Sequence, residues 1–169
     1  MERTGSGLIG RRRAGARALA LVLGLAGGLL GCAGRPDGVM EPTTLTAPGT
    51  STVDMLVVTT RNETGVTGSP YGGERGETPF VDSYLVSIPP ESARTAGEIQ
   101  WPSRLPADPA TSFAVLSRTS HTGDQGRAWF LATKKKRVLV FVHGYNTRYE
   151  EAVFRFAQIV HDSGTDFAP

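Results

Sequence analysis

Two places in this 169-residue chain carry residues whose types and spacing could do chemistry. One is His143-Gly144-Tyr145-Asn146, which follows five uninterrupted apolar residues, Val138-Leu-Val-Phe-Val142. A tetrahedral acyl-transfer intermediate carries a negative oxygen that preorganised backbone N–H donors stabilise. A glycine lets the backbone come within hydrogen-bond reach of it because no Cβ intervenes. The plainer reading makes Gly144 a tight strand-to-helix turn and His143 a hydrogen-bonded structural histidine.

The other place is Cys32, the one cysteine of the chain. Arg3, Arg11, Arg12, Arg13 and Arg17 precede it, and Ala18 to Leu30 run without a charge. A basic stretch followed by an apolar one of about 13 residues has the pattern of a signal peptide, and it is too short for a transmembrane helix. Leu29-Leu30-Gly31-Cys32 resembles a bacterial lipobox, which implies cleavage after Gly31 and lipid on Cys32. Acyl chains add about 0.8 kcal/mol per buried methylene, enough for stable anchoring without spanning. The expected location is the cell envelope. Ala33 stands where an Asp would resemble an inner-membrane retention signal, which favours the periplasmic side of the outer membrane.

Composition narrows the remaining classes. One cysteine forms neither an internal disulfide nor a Cys-rich zinc site, and 21 Gly with 11 Pro fall below a low-complexity content. His121, His143 and His161 lie on three separate segments without i, i+4 pairing, so no metal site and no cofactor is expected. The +2 net charge of the whole chain includes five arginines and one glutamate in residues 1–31, and residues 32–169 carry −2. The basic run Lys134-Lys-Lys-Arg137 has no interleaved aromatics, and no nucleic-acid partner is expected.

The elements that would position these residues follow from pattern. Residues 32–53 have the Gly, Pro, Thr and Ser composition of a flexible tether. Met55–Thr60 is a β-branched strand candidate, Arg61–Pro79 reads as loop, and Phe80–Ile88 alternates as a strand until Pro89-Pro90 stops it. Gly97–Trp101 and Phe113–Ser120 are further strand candidates, and 125–136 a short helix ending in lysines. Val138–Val142, apolar throughout, suits a strand buried on both faces between parallel neighbours. Thr147 with Glu150 predicts a capping box. Tyr149, Ala152, Val153, Phe156, Ala157 and Val160 then form one stripe of a helix over about 148–162, with His161 in its last turn and Gly164 as C-cap. Strand, glycine turn and amphipathic helix predict an α/β fold.

Val138–Asp162 closely resembles a bacterial α/β-hydrolase family of largely unknown function, described as esterase/lipase-like. Upstream, Val57-Val-Thr-Thr-Arg61, Gly73-Glu-Arg-Gly76, Val86-Ser-Ile-Pro-Pro90, Gly97–Pro106 and Asp108-Pro-Ala-Thr111 resemble its N-terminal segments in order, so the resemblance covers residues 54–169. It implies an α/β-hydrolase sheet, a Ser nucleophile with acidic and His partners, and an ester or acyl substrate. Of the family's site, the oxyanion position transfers to the backbone of Gly144 and Tyr145, with His143 and Asn146 as loop support. No Gly-x-Ser-x-Gly elbow occurs in the chain. Because triad order in this fold is Ser, acid, His, none of the three histidines transfers as base and no catalytic side chain is identifiable.

The expectation is therefore an α/β-hydrolase-like sheet truncated after the strand–His-Gly–helix unit, an inactive lipid-anchored fragment. The alternative is a non-catalytic envelope lipoprotein serving as a binding or scaffolding module. A central strand left at an edge exposes unpaired backbone groups, so marginal stability is expected.

Overall fold

The protein is described by a computed structural model over residues 37–169; residues 1–31, expected as signal peptide, and Cys32 lie outside the described residues. Three strands, β1 (Ser51–Glu63), β2 (Tyr71–Ile88) and β3 (Ala114–His121), form an antiparallel sheet in the order β1-β2-β3. Two helices follow, α1 (Gly123–Ala132) and α2 (Tyr149–Ser163). The α/β class holds, and the architecture is consistent with part of an α/β-hydrolase. The described ladders of the sheet are antiparallel rather than parallel.

Alternation along the strands builds the core. Val53 and Met55 of β1, Tyr84, Val86 and Ile88 of β2 and Val115 of β3 are buried on one face. Tyr149, Val153, Phe154, Phe156 and Ala157 of α2 close over them. Phe154 also meets Trp101 at 5.4 Å and Phe113 at 5.8 Å. On the opposite face α1 comes so close that a Cβ on Gly126 would lie 2.8 Å from Val81 Cγ1, with Leu56 beyond it. Glycine is what permits this approach.

Several expectations change. Residues 37–53, inside the expected tether of 32–53, are packed: Val39 and Met40 are fully buried, Thr43 N–H donates to the Val115 carbonyl at 2.9 Å, and Ser51–Val53 begin β1. Their two apolar side chains bury too much surface to remain solvated. The loop expected over 61–79 is shorter, because β1 continues to Glu63 and β2 starts at Tyr71, pairing Arg61 with Arg75 and Glu63 with Tyr71 through register shifts. Irregular ladders of this kind tolerate the glycines and Pro79. At Gly76 a Cβ would lie 2.5 Å from Asn62 Oδ1. Gly97–Trp101 is not a strand; Gly97 takes φ 82° in a turn closed by Glu98 N–H to the Thr95 carbonyl.

Both helices form close to where pattern puts them. α1 starts earlier than expected because Thr122 caps it with Gln125 in a reciprocal box, and the lysines lie past its end, Lys134 at φ 56°. In α2 the reach-back runs from the Glu151 carboxylate to Arg148 N–H at 3.3 Å, one residue later than the expected Thr147–Glu150 pair. Gly164 at φ 59° closes the helix.

Val138–Val142 departs most from expectation. It is not a doubly covered strand: Val138, Val140 and Val142 are 51, 75 and 84% exposed, and its single bridge is parallel, Val138 to Ala168. Leu139 and Phe141 are half-buried, and Phe141 stacks on Phe156 at 5.7 Å. One face rests on α2. Among the described residues nothing covers the other, which is why alternate valines face solvent.

Candidate functional site

The segment 138–142 delivers His143 to the start of an exposed loop, and α2 receives the chain at Tyr149. Between them Tyr145 and Asn146 form a turn in which Asn146 adopts φ 55°. Asparagine is one of the few residues with a side chain that enters this left-handed region at low cost. At Gly144 a Cβ would meet nothing within 4 Å, so packing within the chain does not demand glycine there. Open space above that backbone is what a bound carbonyl would require. The N–H groups of Gly144 and Tyr145 have no hydrogen-bond partner among the described residues. His143 places Nδ1 3.0 Å from the Gly144 carbonyl and is otherwise exposed, and the Tyr145 side chain is fully exposed.

Two residues not singled out by sequence hold this loop. Arg61, on β1, donates to the Gly72 carbonyl at 2.9 Å and to the Thr147 carbonyl at 2.6 Å, joining the β1–β2 ribbon to the loop's end. Tyr149 inserts its ring against Tyr71 and Tyr84, with centroids 4.7 and 6.3 Å away, and bonds to the Tyr84 hydroxyl at 3.1 Å. That hydroxyl belongs to a buried network. Asp82 accepts from Tyr71 Oη at 2.9 Å, Arg118 Nε at 2.8 Å and Ser120 Oγ at 2.8 Å. Burial, then the hydrogen bond to Asp82, pushes Tyr71 up to about 12. Burial likewise raises Tyr84 and Tyr149 well above the ordinary phenol range. Alternating polar residues on neighbouring strands form this cluster, a signal readable only once the register is known.

The loop sits between two concavities. An apolar groove of about 410 Å³ lies between β1 and the 138–142 segment and reaches His143. A polar pocket of about 460 Å³ includes Arg61, Tyr71, Asn146 and Arg148. The other two histidines, not expected to belong to the site, are elsewhere. His121 pairs with Ser83 Oγ at 2.9 Å, and His161 Nδ1 lies 3.0 Å from Arg94 Nη1, which can only donate to it. The three histidines remain on separate elements, and among the described residues no cluster of three or more metal-ligating side chains is present. No helix of the described residues is long and apolar enough to cross a membrane.

An extended apolar segment, an open His-Gly loop and a capped amphipathic helix define a unit that can be compared with known proteins. Residues 124–169 match the model of a family described as an alpha/beta hydrolase of unknown function (DUF900). The DUF900 match spans nearly all of α1, the 138–142 segment, the His143–Asn146 loop and α2, but not Arg61 or the tyrosines of β2 that support the loop. β1, β2, β3 and all of the upstream segments of the resemblance lie outside the DUF900 match. No curated protein and no solved structure matches the chain.

Proposed function

We propose that the His143–Asn146 loop is the oxyanion-binding half of an ester- or acyl-hydrolysing site of the α/β-hydrolase type, held at the envelope by lipid on Cys32. The carrying observation is the open backbone at Gly144 and Tyr145, with unengaged N–H groups, inside the segment that matches DUF900. Such donors stabilise charge on a carbonyl oxygen only as it develops, which is where they lower a barrier. The Tyr145 N–H is the donor, Gly144 gives the substrate room, and Arg61 and Tyr149 hold the loop's far end.

These 169 residues contain no Gly-x-Ser-x-Gly, and on this reading they hydrolyse nothing alone; serine, acid and base come from other sequence. The test is to read the locus past the codon for Pro169 and to expose both products to a fluorophosphonate probe. Labelling of a longer product bearing a nucleophile elbow, with none of this chain, is the expected result. A genuine stop, with an abundant unlabelled envelope protein, would overturn the hydrolase reading and favour a non-catalytic binding module.

A further inference from the structure

Arg61 stands at the divide between the two concavities, lining both the apolar groove and the polar pocket beside the His143–Asn146 loop. Its guanidinium is held from two sides, by the Gly72 carbonyl at 2.9 Å and the Thr147 carbonyl at 2.6 Å. Both acceptors are neutral dipoles, and no carboxylate pairs with Arg61 among the described residues. An arginine carries more N–H donors than the two engaged here. A half-buried guanidinium fixed in this way, with donors to spare and no counter-charge, is preorganised for an anionic oxygen group, because its planar fork matches carboxylate and phosphate oxygens.

The rest of the polar pocket is already matched within itself. Arg148 Nη1 meets Asp37 at 3.2 Å and Glu150 at 3.5 Å, and the Tyr71 hydroxyl donates to Asp82. Asn146 lines the pocket too, and its side-chain amide has no hydrogen-bond partner among the described residues. On the wall formed by β2, neither conformation nor packing demands Gly73: its φ lies outside the left-handed region, and a Cβ there would meet nothing within 4 Å. The walls come from residues 37–150, whereas Pro169 lines the apolar groove. Tyr145 and Thr147 are two residues apart, at most about 7 Å between Cα atoms. A group on Arg61 is therefore within a few bonds' reach of a carbonyl at the Tyr145 N–H.

We propose that the polar pocket is an anion subsite: Arg61, with the Asn146 amide, receives an anionic oxygen group, carboxylate or phosphate, that the substrate carries close to the bond being cleaved. That the anion belongs to a substrate rests on the hydrolase reading; that the pocket takes an anion rests on its own residues.

The test titrates the full 169-residue protein with monomethyl adipate, with its neutral counterpart dimethyl adipate and with inorganic phosphate, following assigned N–H resonances. Saturable shifts are expected at the Arg61 Nε–H and at the Gly73 and Asn146 amides with the monoester, and binding about tenfold weaker or worse with the diester. Phosphate that competes with the monoester supports the same subsite, and the tighter of the two identifies the anion. Arg61→Gln should abolish the preference for the monoester. Asn146→Gly, which leaves the left-handed backbone at ease, should weaken monoester binding with the fold intact. Equal binding of the two esters, no binding, shifts elsewhere, or a preference unchanged in both variants overturns the proposal. So does a monoester that binds this chain but not a longer product of the locus, because an acidic residue from later sequence is then the partner of Arg61. A chain whose β1–β2 amides exchange freely overturns it as well, since the pocket then does not exist. Fluorophosphonate labelling is read separately: a labelled product that ignores ester charge defeats the subsite alone, and an anion-binding product that never labels defeats the hydrolase reading alone.

Discussion

Tyr149, the first residue of α2, bonds through its hydroxyl to that of Tyr84 on the central strand, 3.1 Å away and 65 positions earlier in the chain. The contact fixes where the helix after the His-Gly loop begins. Behind it stands Asp82, almost fully buried, with Arg118 and Tyr71 as partners. A buried carboxylate persists only with its charge paired and its lone pairs satisfied. The loop is therefore anchored on a polar cluster inside the core.

Substitution should separate the two layers of that anchor. Tyr149→Phe removes one buried hydrogen bond and should cost about 1 kcal/mol. Arg118→Ala leaves Asp82 as an uncompensated buried charge and should cost about 3–5 kcal/mol. Urea midpoints of the two variants check this. Equal effects would mean that the cluster is not coupled through Asp82.

The same tyrosines set a response to alkali. In the unfolded chain a phenol ionises near 10. In the folded one Tyr71 holds its proton to about 12, and Tyr84 and Tyr149 are shifted in the same direction. Folded groups of raised pKa contribute stability fully present below pH ~10 and lost as pH rises toward 12. The urea midpoint should fall steadily over that window, and Tyr71→Phe should make the fall shallower.

Asp162 predicts the opposite limb. Its burial opposes ionisation, yet the Gly97 N–H at 2.7 Å, Arg94 and Gln158 hold its carboxyl well below the usual range. A carboxyl of depressed pKa contributes stability present above its unfolded value near 3.9 and lost as pH falls. Asp162→Asn should cost about 1–3 kcal/mol at neutral pH and flatten the acid limb below pH 4. An unchanged acid limb would show that the Arg94 clamp between the 91–97 segment and α2 is incidental.

Legibility in sequence followed the range of the forces involved. α2 was readable because its stripe, acidic first turn and Gly164 are local features, and only the cap moved by one residue. The first half of β2 was not, since Gly72, Gly73, Gly76 and Pro79 carry turn propensities that pairing with β1 overrides. Val138–Val142 reads as doubly buried because it is apolar throughout, whereas the described residues cover one of its faces. The His-Gly loop was located by its residues alone. Its supports, Arg61 and the Tyr84–Tyr149 pair, depend on contacts between distant segments that no local pattern announces.

The donor assigned to the Tyr145 backbone can be tested without altering a side chain that contacts anything. Tyr145 is fully exposed and its N–H has no partner among the described residues, so Tyr145→Pro deletes the donor while removing no described hydrogen bond. In a longer, active product of the locus, loss of one oxyanion donor should lower kcat by about 10²–10³ with little change in KM, because the interaction matures in the transition state. Tyr145→Ala keeps the N–H and should retain activity. If both variants lose activity equally, the exposed ring rather than the backbone serves the substrate, and the loop is a binding surface instead of an oxyanion site.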